Sequence, residues 1–400
     1  MRRIVLLFFL AGSFFPALAQ QAGSFSRYDK QTYAHYLQQD WQALINTGKA
    51  ALKEGIDFYY LRMRLGIAYY EKGQYRQAIA HFNKALAYNS YNPLAAEYLY
   101  YAYKLAGRLA DANLVYGQYK PQLGQRQVAS PYGVISGFYS EGGLKFLSPA
   151  NDEAGPLKYM HAGAQQQLGG RLSLYHGYMR ISQNINRYET VNNPGPGPPT
   201  TSKTTRKYVQ NEYYLRAAVP LVAGLQLTGS LHTQAITDSV RYNNLAFMAG
   251  LTASIKLFDF SATYGLARIK ATRQQQVALG ITVYPAPGLY LQSVFTHHRD
   301  GDRGNTIFLQ KTGVRTGANT WLEAYGSFGD MRNVQDMDGF YQYNTPDPLT
   351  LRLGLTGIFY LGVRTKLLVG YTYENYEALA TNLPYQQHYT FTGLQFLLKK

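Results

Sequence analysis

Two hydrophobic periods divide the chain. From about Pro131 to Lys400, segments with every second residue apolar recur about once per 19 residues, as strands with one buried and one wet face do. Leu349, Leu351, Leu353 and Leu355 alternate with Thr350, Arg352, Gly354 and Thr356, so one row suits hydrocarbon and the other suits water. From about Tyr28 to Leu123 the period is instead 3.6, and LGIAYYEKGQYRQAIAHFNKAL is its clearest run. Lys120-Pro121 and the polar run Gln122 to Ser130 separate the two regions, because proline ends helices and the periodicity stops there.

The alternation predicts strands at about 132–147, 157–168, 171–187, 207–219, 223–236, 244–257, 259–270, 273–284, 288–298, 305–316, 319–329, 349–360, 363–374 and 387–398. Register is clear where Leu245, Phe247, Ala249, Leu251, Ala253 and Ile255 share one row. It is ambiguous around 171–187 and 387–398, which leaves about 12 to 16 strands in a count centred on 14. Short links (Leu168-Gly169-Gly170, Pro220 to Gly224, Phe258-Asp259, Pro285 to Gly288, Gly317 to Asn319, Leu361-Gly362) alternate with mostly longer polar ones. The longer set includes Tyr188 to Arg206, Thr237 to Asn243, His298 to Asn305, Gly329 to Asp347 and Asn375 to Gln386. Short turns on one rim and long loops on the other are the plan of an antiparallel transmembrane β-barrel of the outer-membrane type. With an even strand number both barrel ends share the short-turn rim, which would face the periplasm together with the linker.

Composition favours the same plan: Tyr 38, Phe 19 and Gly 38 in 400 residues, with 16% charged. Aromatic girdles and small lumen residues use such a mixture. An aromatic-rich soluble sandwich is the competing architecture. The absence of Cys excludes disulfides, thiol catalysis and a lipoprotein anchor. Residues 1–19 read as a signal for general secretion: Arg2-Arg3, an apolar run from Ile4 to Phe15, and Ala17-Leu18-Ala19 before Gln20. Formal charge is +16, two of it from the leader arginines; a secreted chain rarely meets nucleic acid, so none is expected as a partner. The domains are therefore expected at 1–19 (signal), 20–124 (helices), 125–131 (linker) and 132–400 (barrel).

The helical run resembles the tetratricopeptide repeat, carried by Leu65, Gly66, Tyr69, Ala78, Phe82 and Ala85. A shift of about 34 residues gives Leu99, Tyr103, Ala112 and Tyr116, with Gly107 answering Gly73 and Tyr100 standing where Gly66 sits. A degenerate first unit holds Leu44, Gly48 and Ala51, after Tyr33 and Tyr36. The resemblance implies a short α-solenoid whose groove would present Tyr60, Met63, Ile67, Tyr70, Leu94, Glu97, Tyr101 and Lys104 to a peptide or sugar. Signal, repeats and barrel in this order resemble polysaccharide-export porins, surface-lipoprotein assembly modulators and YaiO-type proteins in architecture alone. Barrels of this class resemble one another in ending on an aromatic; this chain ends Phe396-Leu397-Leu398-Lys399-Lys400, with Phe396 the candidate for that role.

No catalytic, cofactor or metal site is expected. Ser230 and His232 share a row but suit a wet lumen, and His297-His298 with Asp300 and Asp302 suit a solvated loop tip. The lumen rows are expected to carry Glu212, Arg216, Lys256, Arg352, Arg364, Lys366 and Glu374, with Arg216, Lys256, Arg364 and Lys366 near the periplasmic mouth, where basic groups would attract anions. The proline-glycine stretch Val191 to Pro199 either constricts the lumen or extends outward. Expected partners are outer-membrane lipid and, through the repeats, a periplasmic protein or polymer. Two functions compete: recruitment followed by passage through the barrel, and a non-conducting scaffold whose repeats dock envelope proteins.

Overall fold

The computed structural model describes residues 23–131, 133–148, 154–191, 199–238, 240–336, 339–345, 347–379 and 381–398. The expected signal segment, 1–19, and the proline-glycine core of the 191–199 stretch lie outside them. The chain forms two compact units, Met1–Ala129 and Ser130–Lys400.

In the first unit, seven helices follow one another: α1 (23–37), α2 (Trp41–Lys53), α3 (Tyr59–Glu71), α4 (Tyr75–Tyr88), α5 (Pro93–Leu105), α6 (Leu109–Gln118) and α7 (Lys120–Gln125). Asp40 and Asn92 cap α2 and α5 by accepting from the amides of Ala43 and Ala95 at 3.0 Å, and Pro93 occupies the first turn where its missing N–H is harmless. Three helices end on a left-handed glycine, Gly55, Gly73 and Gly107, at φ of +79°, +70° and +76°. In each, the following amide reaches back to the last helical turn (Ile56 to Ala51, Gln74 to Tyr69, Arg108 to Tyr103), so the chain reverses with its carbonyls satisfied. Small residues set the helix spacing. A Cβ on Gly66 would lie 2.5 Å from the Phe82 ring, and one on Gly48 would lie 2.6 Å from Leu65. At the equivalent place in the next hairpin Tyr100 is buried against Tyr116, with ring centroids 6.0 Å apart.

The second unit is a closed barrel of 14 antiparallel strands. In order they are β1 (Gly133–Ser148), β2 (Leu157–Leu168), β3 (Leu172–Val191), β4 (Thr200–Val222), β5 (Leu225–Thr237), β6 (Arg241–Ile255), β7 (Phe258–Ile269), β8 (Thr272–Ala286), β9 (Leu289–Asp300), β10 (Arg303–Gly317), β11 (Thr320–Phe328), β14 (Leu349–Tyr360), β15 (Thr365–Glu377) and β16 (Pro384–Leu397). A small hairpin, β12 (Gln335–Asp336) and β13 (Tyr341–Gln342), interrupts the series. Closure comes from β1 on β16, from Gly137 opposite Leu397 to Ser148 opposite Gln386. Apart from this closing pair, each barrel strand pairs with the next barrel strand in the chain, β11 with β14 across the inserted hairpin, so the barrel is a closed meander.

Strand count and order agree with the alternation, and the sandwich is excluded by closure. The loop rim differs in detail. Strands β9 and β10 continue to Asp300 and Arg303 and turn through Gly301 at φ +60°, and β7 and β8 turn through Lys270 and Ala271, both left-handed. The expected long loop from Tyr188 to Arg206 is largely strand, paired from Glu189–Ser202 to Val191–Thr200. Outward rows are apolar and open: Phe247 is 51% exposed, Leu279 59% and Phe295 55%. Inward rows carry Glu141, His161, Glu212, His232, Gln276 and Glu374, all buried. Leu349 departs from its expected place on the outer row. Pairing shifts between Leu349 and Leu351, and this irregularity turns Leu349 inward, where it is fully buried.

Candidate functional site: the plugged lumen

The described residues between 329 and 348, in the stretch Gly329 to Asp347 expected from the sequence to be a long loop on the far rim, reach the inward polar rows. The segment leaves β11 at Gly329, whose φ of +118° and close approach to the Thr306 carbonyl admit no side chain. The amides of Gly329 and Met331 then bond to the carbonyls of Thr350 and Leu349 at 3.1 and 2.9 Å, and the chain turns into the barrel as the β12–β13 hairpin.

Wall side chains satisfy the hairpin's unpaired main chain. Gln276 on β8 donates to the Gln335 carbonyl at 2.8 Å and accepts from the Gln335 amide at 3.0 Å, the two bonds a neighbouring strand would make. Gln234 on β5 donates to the Gln342 carbonyl at 3.1 Å. His232 Nδ1 lies 2.9 Å from the Gly339 carbonyl, while its Nε2 lies 2.7 Å from the Glu212 carboxylate. At the tip, Phe340 enters an aromatic socket, with centroids 5.1 Å from His161 and 5.2 Å from Tyr214, the latter perpendicular. At the base, Met331 and Val334 pack with Ile307, Leu349 and Tyr376.

Arg352 on β14 ties the charges together. Its guanidinium lies 3.3 Å from Asp336 of the hairpin and 3.3 Å from Glu374 of β15, and donates to the Tyr343 hydroxyl. The rings of Tyr325, Tyr341 and Tyr343 surround it at 5.3 to 5.5 Å. Glu374 also takes Lys145 at 2.7 Å and the Tyr376 hydroxyl at 2.7 Å. The buried Glu374 and half-buried Asp336 carboxylates, a guanidinium and an ammonium thus neutralise one another, as a low-dielectric interior requires.

Of the expected lumen charges, Arg352 and Glu374 lie in this network, and Glu212 is buried on an inward row beside His232 and Gln234. Arg216 and Lys366 are half-buried on inward rows, Lys366 with its ammonium 5.1 Å from the Tyr360 ring. Lys256 and Arg364 are exposed in the short-rim turns rather than on lumen rows. Both His232 nitrogens are engaged by other groups, so His232 offers Ser230 no base. His297 and His298 face opposite sides of β9, as successive strand residues must, and no cluster able to hold a metal occurs among the described residues.

On the helical unit, Met63 and Ile67 are buried. Tyr60 and Leu94 are exposed, Tyr101 and Lys104 are half-buried, and Glu97 pairs with Arg126 at 2.5 Å. Tyr70 packs edge-on against Tyr75 and Tyr98, and burial pushes its hydroxyl up to about 12. Nearby on α3, Arg62 grips Asp57 through two bonds of 2.6 Å and lies 3.2 Å from His81 Nδ1. That guanidinium holds Asp57 below the usual carboxylate range, while burial, with the Arg62 charge, pushes His81 down to about 4.

The plug was missed because its ties are non-local. A trace existed: Met331, Val334, Phe340, Tyr341 and Tyr343 make this segment far more apolar than the Pro, Gly, Thr and Lys of residues 194–207.

No protein-family model matches the sequence, and no curated protein matches it. Among solved structures, the Pseudomonas putida toluene transporter TodX is similar at 8% identity, over 68% of this chain and 90% of that one, with a TM-score of 0.45. A bacterial polysaccharide outer membrane secretin is similar at 8% identity over 66% and 99%, TM-score 0.40. A MamA structure is similar at 17% identity over 26% and 59%, TM-score 0.23. Likeness at this level shows no family.

Proposed function

We propose that the chain is a barrel of the outer membrane of a Gram-negative bacterium, through which a solute passes when the 329–348 segment shifts, with the helices in the periplasm recruiting a partner or substrate. One observation carries the reading: a closed cylinder with large apolar side chains exposed on its outer rows and paired charges, histidines and glutamines on its inner rows. Only a lipid surround makes both sides favourable at once. Arg216 and Lys366, with Lys256 and Arg364 in the adjoining turns, support a preference for anions at the short-turn mouth.

The plug's bonds to many strands favour a second reading, a sealed barrel that serves as a scaffold for envelope proteins. Planar-bilayer recording separates the two. Gated passage predicts infrequent openings of the intact protein with anions preferred, and steady conductance once residues 330–346 are replaced by a short glycine-serine linker. An intact protein that passes neither current nor solute under any voltage or gradient supports the scaffold, and cation preference removes the anionic part of the reading.

A further inference from the structure

Between the hairpin and the wall of β6 to β11 lies a cavity of about 200 Å³. Met248, Val294, Ile307 and Met331 give it an apolar side, and Gln335 and Gln276 line it with polar groups. An apolar cavity of about 150 Å³ already accepts benzene, so a molecule of that size with a small substituent fits.

Gln335 decides what the substituent is. Its main chain is held on both sides by the Gln276 carboxamide, yet its own carboxamide, on a residue 5% exposed, has neither nitrogen nor oxygen paired among the described residues. The side chain fits there because position 265 is glycine: a Cβ on Gly265 would lie 2.5 Å from its Oε1. Buried polar groups are nearly always paired, and a primary amide needs both an acceptor and a donor opposite it. Taking an ion out of water into this enclosed space is costly, which disfavours a charged molecule.

We propose that this cavity binds one small neutral molecule with an apolar body and an end that both donates and accepts hydrogen bonds, an amide or its equivalent, read by the Gln335 carboxamide. The site goes beyond passage and does not require it: a sealed barrel could bind the same molecule.

The test uses the full chain in detergent, with benzamide as the probe and calorimetry as the readout. Benzamide should bind at least tenfold more tightly than ethylbenzene, which lacks the polar end, and than benzoate, which is charged. Gln335→Leu keeps the main-chain clamp from Gln276 and should remove the preference for benzamide over ethylbenzene. Ala278→Leu, which changes the wall and not the hairpin, fills the cavity and should abolish binding of both. Ethylbenzene or benzoate binding as tightly as benzamide to the unaltered chain, a benzamide preference that survives Gln335→Leu, benzamide binding that survives Ala278→Leu, or no benzamide binding overturns the proposal. Since no membrane is present, failure here is distinct from failure of the bilayer recording.

Discussion

At Gly66 a single hydrogen in place of a methyl group sets how closely α3 and α4 approach, since the Phe82 ring occupies the space a Cβ would take. Gly66→Ala should destabilise the helical unit by about 1–3 kcal/mol, the range for overpacking a close contact, read as a lower urea midpoint in the helical circular-dichroism signal of the full chain. Smaller shifts for Gly66→Ala than for an exposed control such as Gly23→Ala would show that the contact can relax. His81 gives a pH dependence whose sign follows from burial. Its folded pKa of about 4 lies below the ordinary 6.5, so the unfolded chain binds the extra proton between those values. Stability is fully present above pH 6.5 and declines by about 3 kcal/mol as pH falls to 4, and His81→Gln should flatten that slope. A profile unchanged by the substitution would contradict the assignment. The sequence showed Gly66 and Phe82 because repeat spacing brings them together, but it showed neither the His81 environment nor the inward turn of Leu349, which depends on a pairing shift with β15.

Strands and hairpin differ in how much of them the sequence carried. Within the apolar band, alternation placed each strand because one face is apolar and the other polar. Toward the loop rim that signal fades: β3 and β4 run on through Asn186, Thr190, Thr201 and Lys203, where polar residues occupy both faces. The β12–β13 hairpin has no period to read, and its anchors come from Gln234, Gln276, His232 and Arg352, residues dispersed over 120 positions of the sequence. Arg352 is the anchor whose loss should matter most. Replacing it by Met leaves the half-buried Asp336 without that guanidinium, a loss that costs at most the ~3–5 kcal/mol of a fully buried pair. Arg352→Met should therefore raise the opening frequency in bilayers and the rate at which added protease cuts residues 329–348. If neither rate changes, the aromatic socket of Phe340 and the glutamine clamps hold the hairpin without help from the charges.

For the molecule as a whole, the membrane reading rests on which side of each strand meets lipid, and that is also what made the strand count legible: the outer rows are apolar because they need no partner within the chain. The absence of native Cys permits single cysteines to be introduced without background. Spin labels placed one at a time from position 244 to 251 on β6, in protein reconstituted into liposomes, report collisions with oxygen dissolved in lipid and with a water-soluble nickel chelate. Oxygen collision should be strong at 245, 247, 249 and 251 and weak at 244, 246, 248 and 250. Chelate access at the odd positions, or the same response at all eight, would contradict the membrane reading.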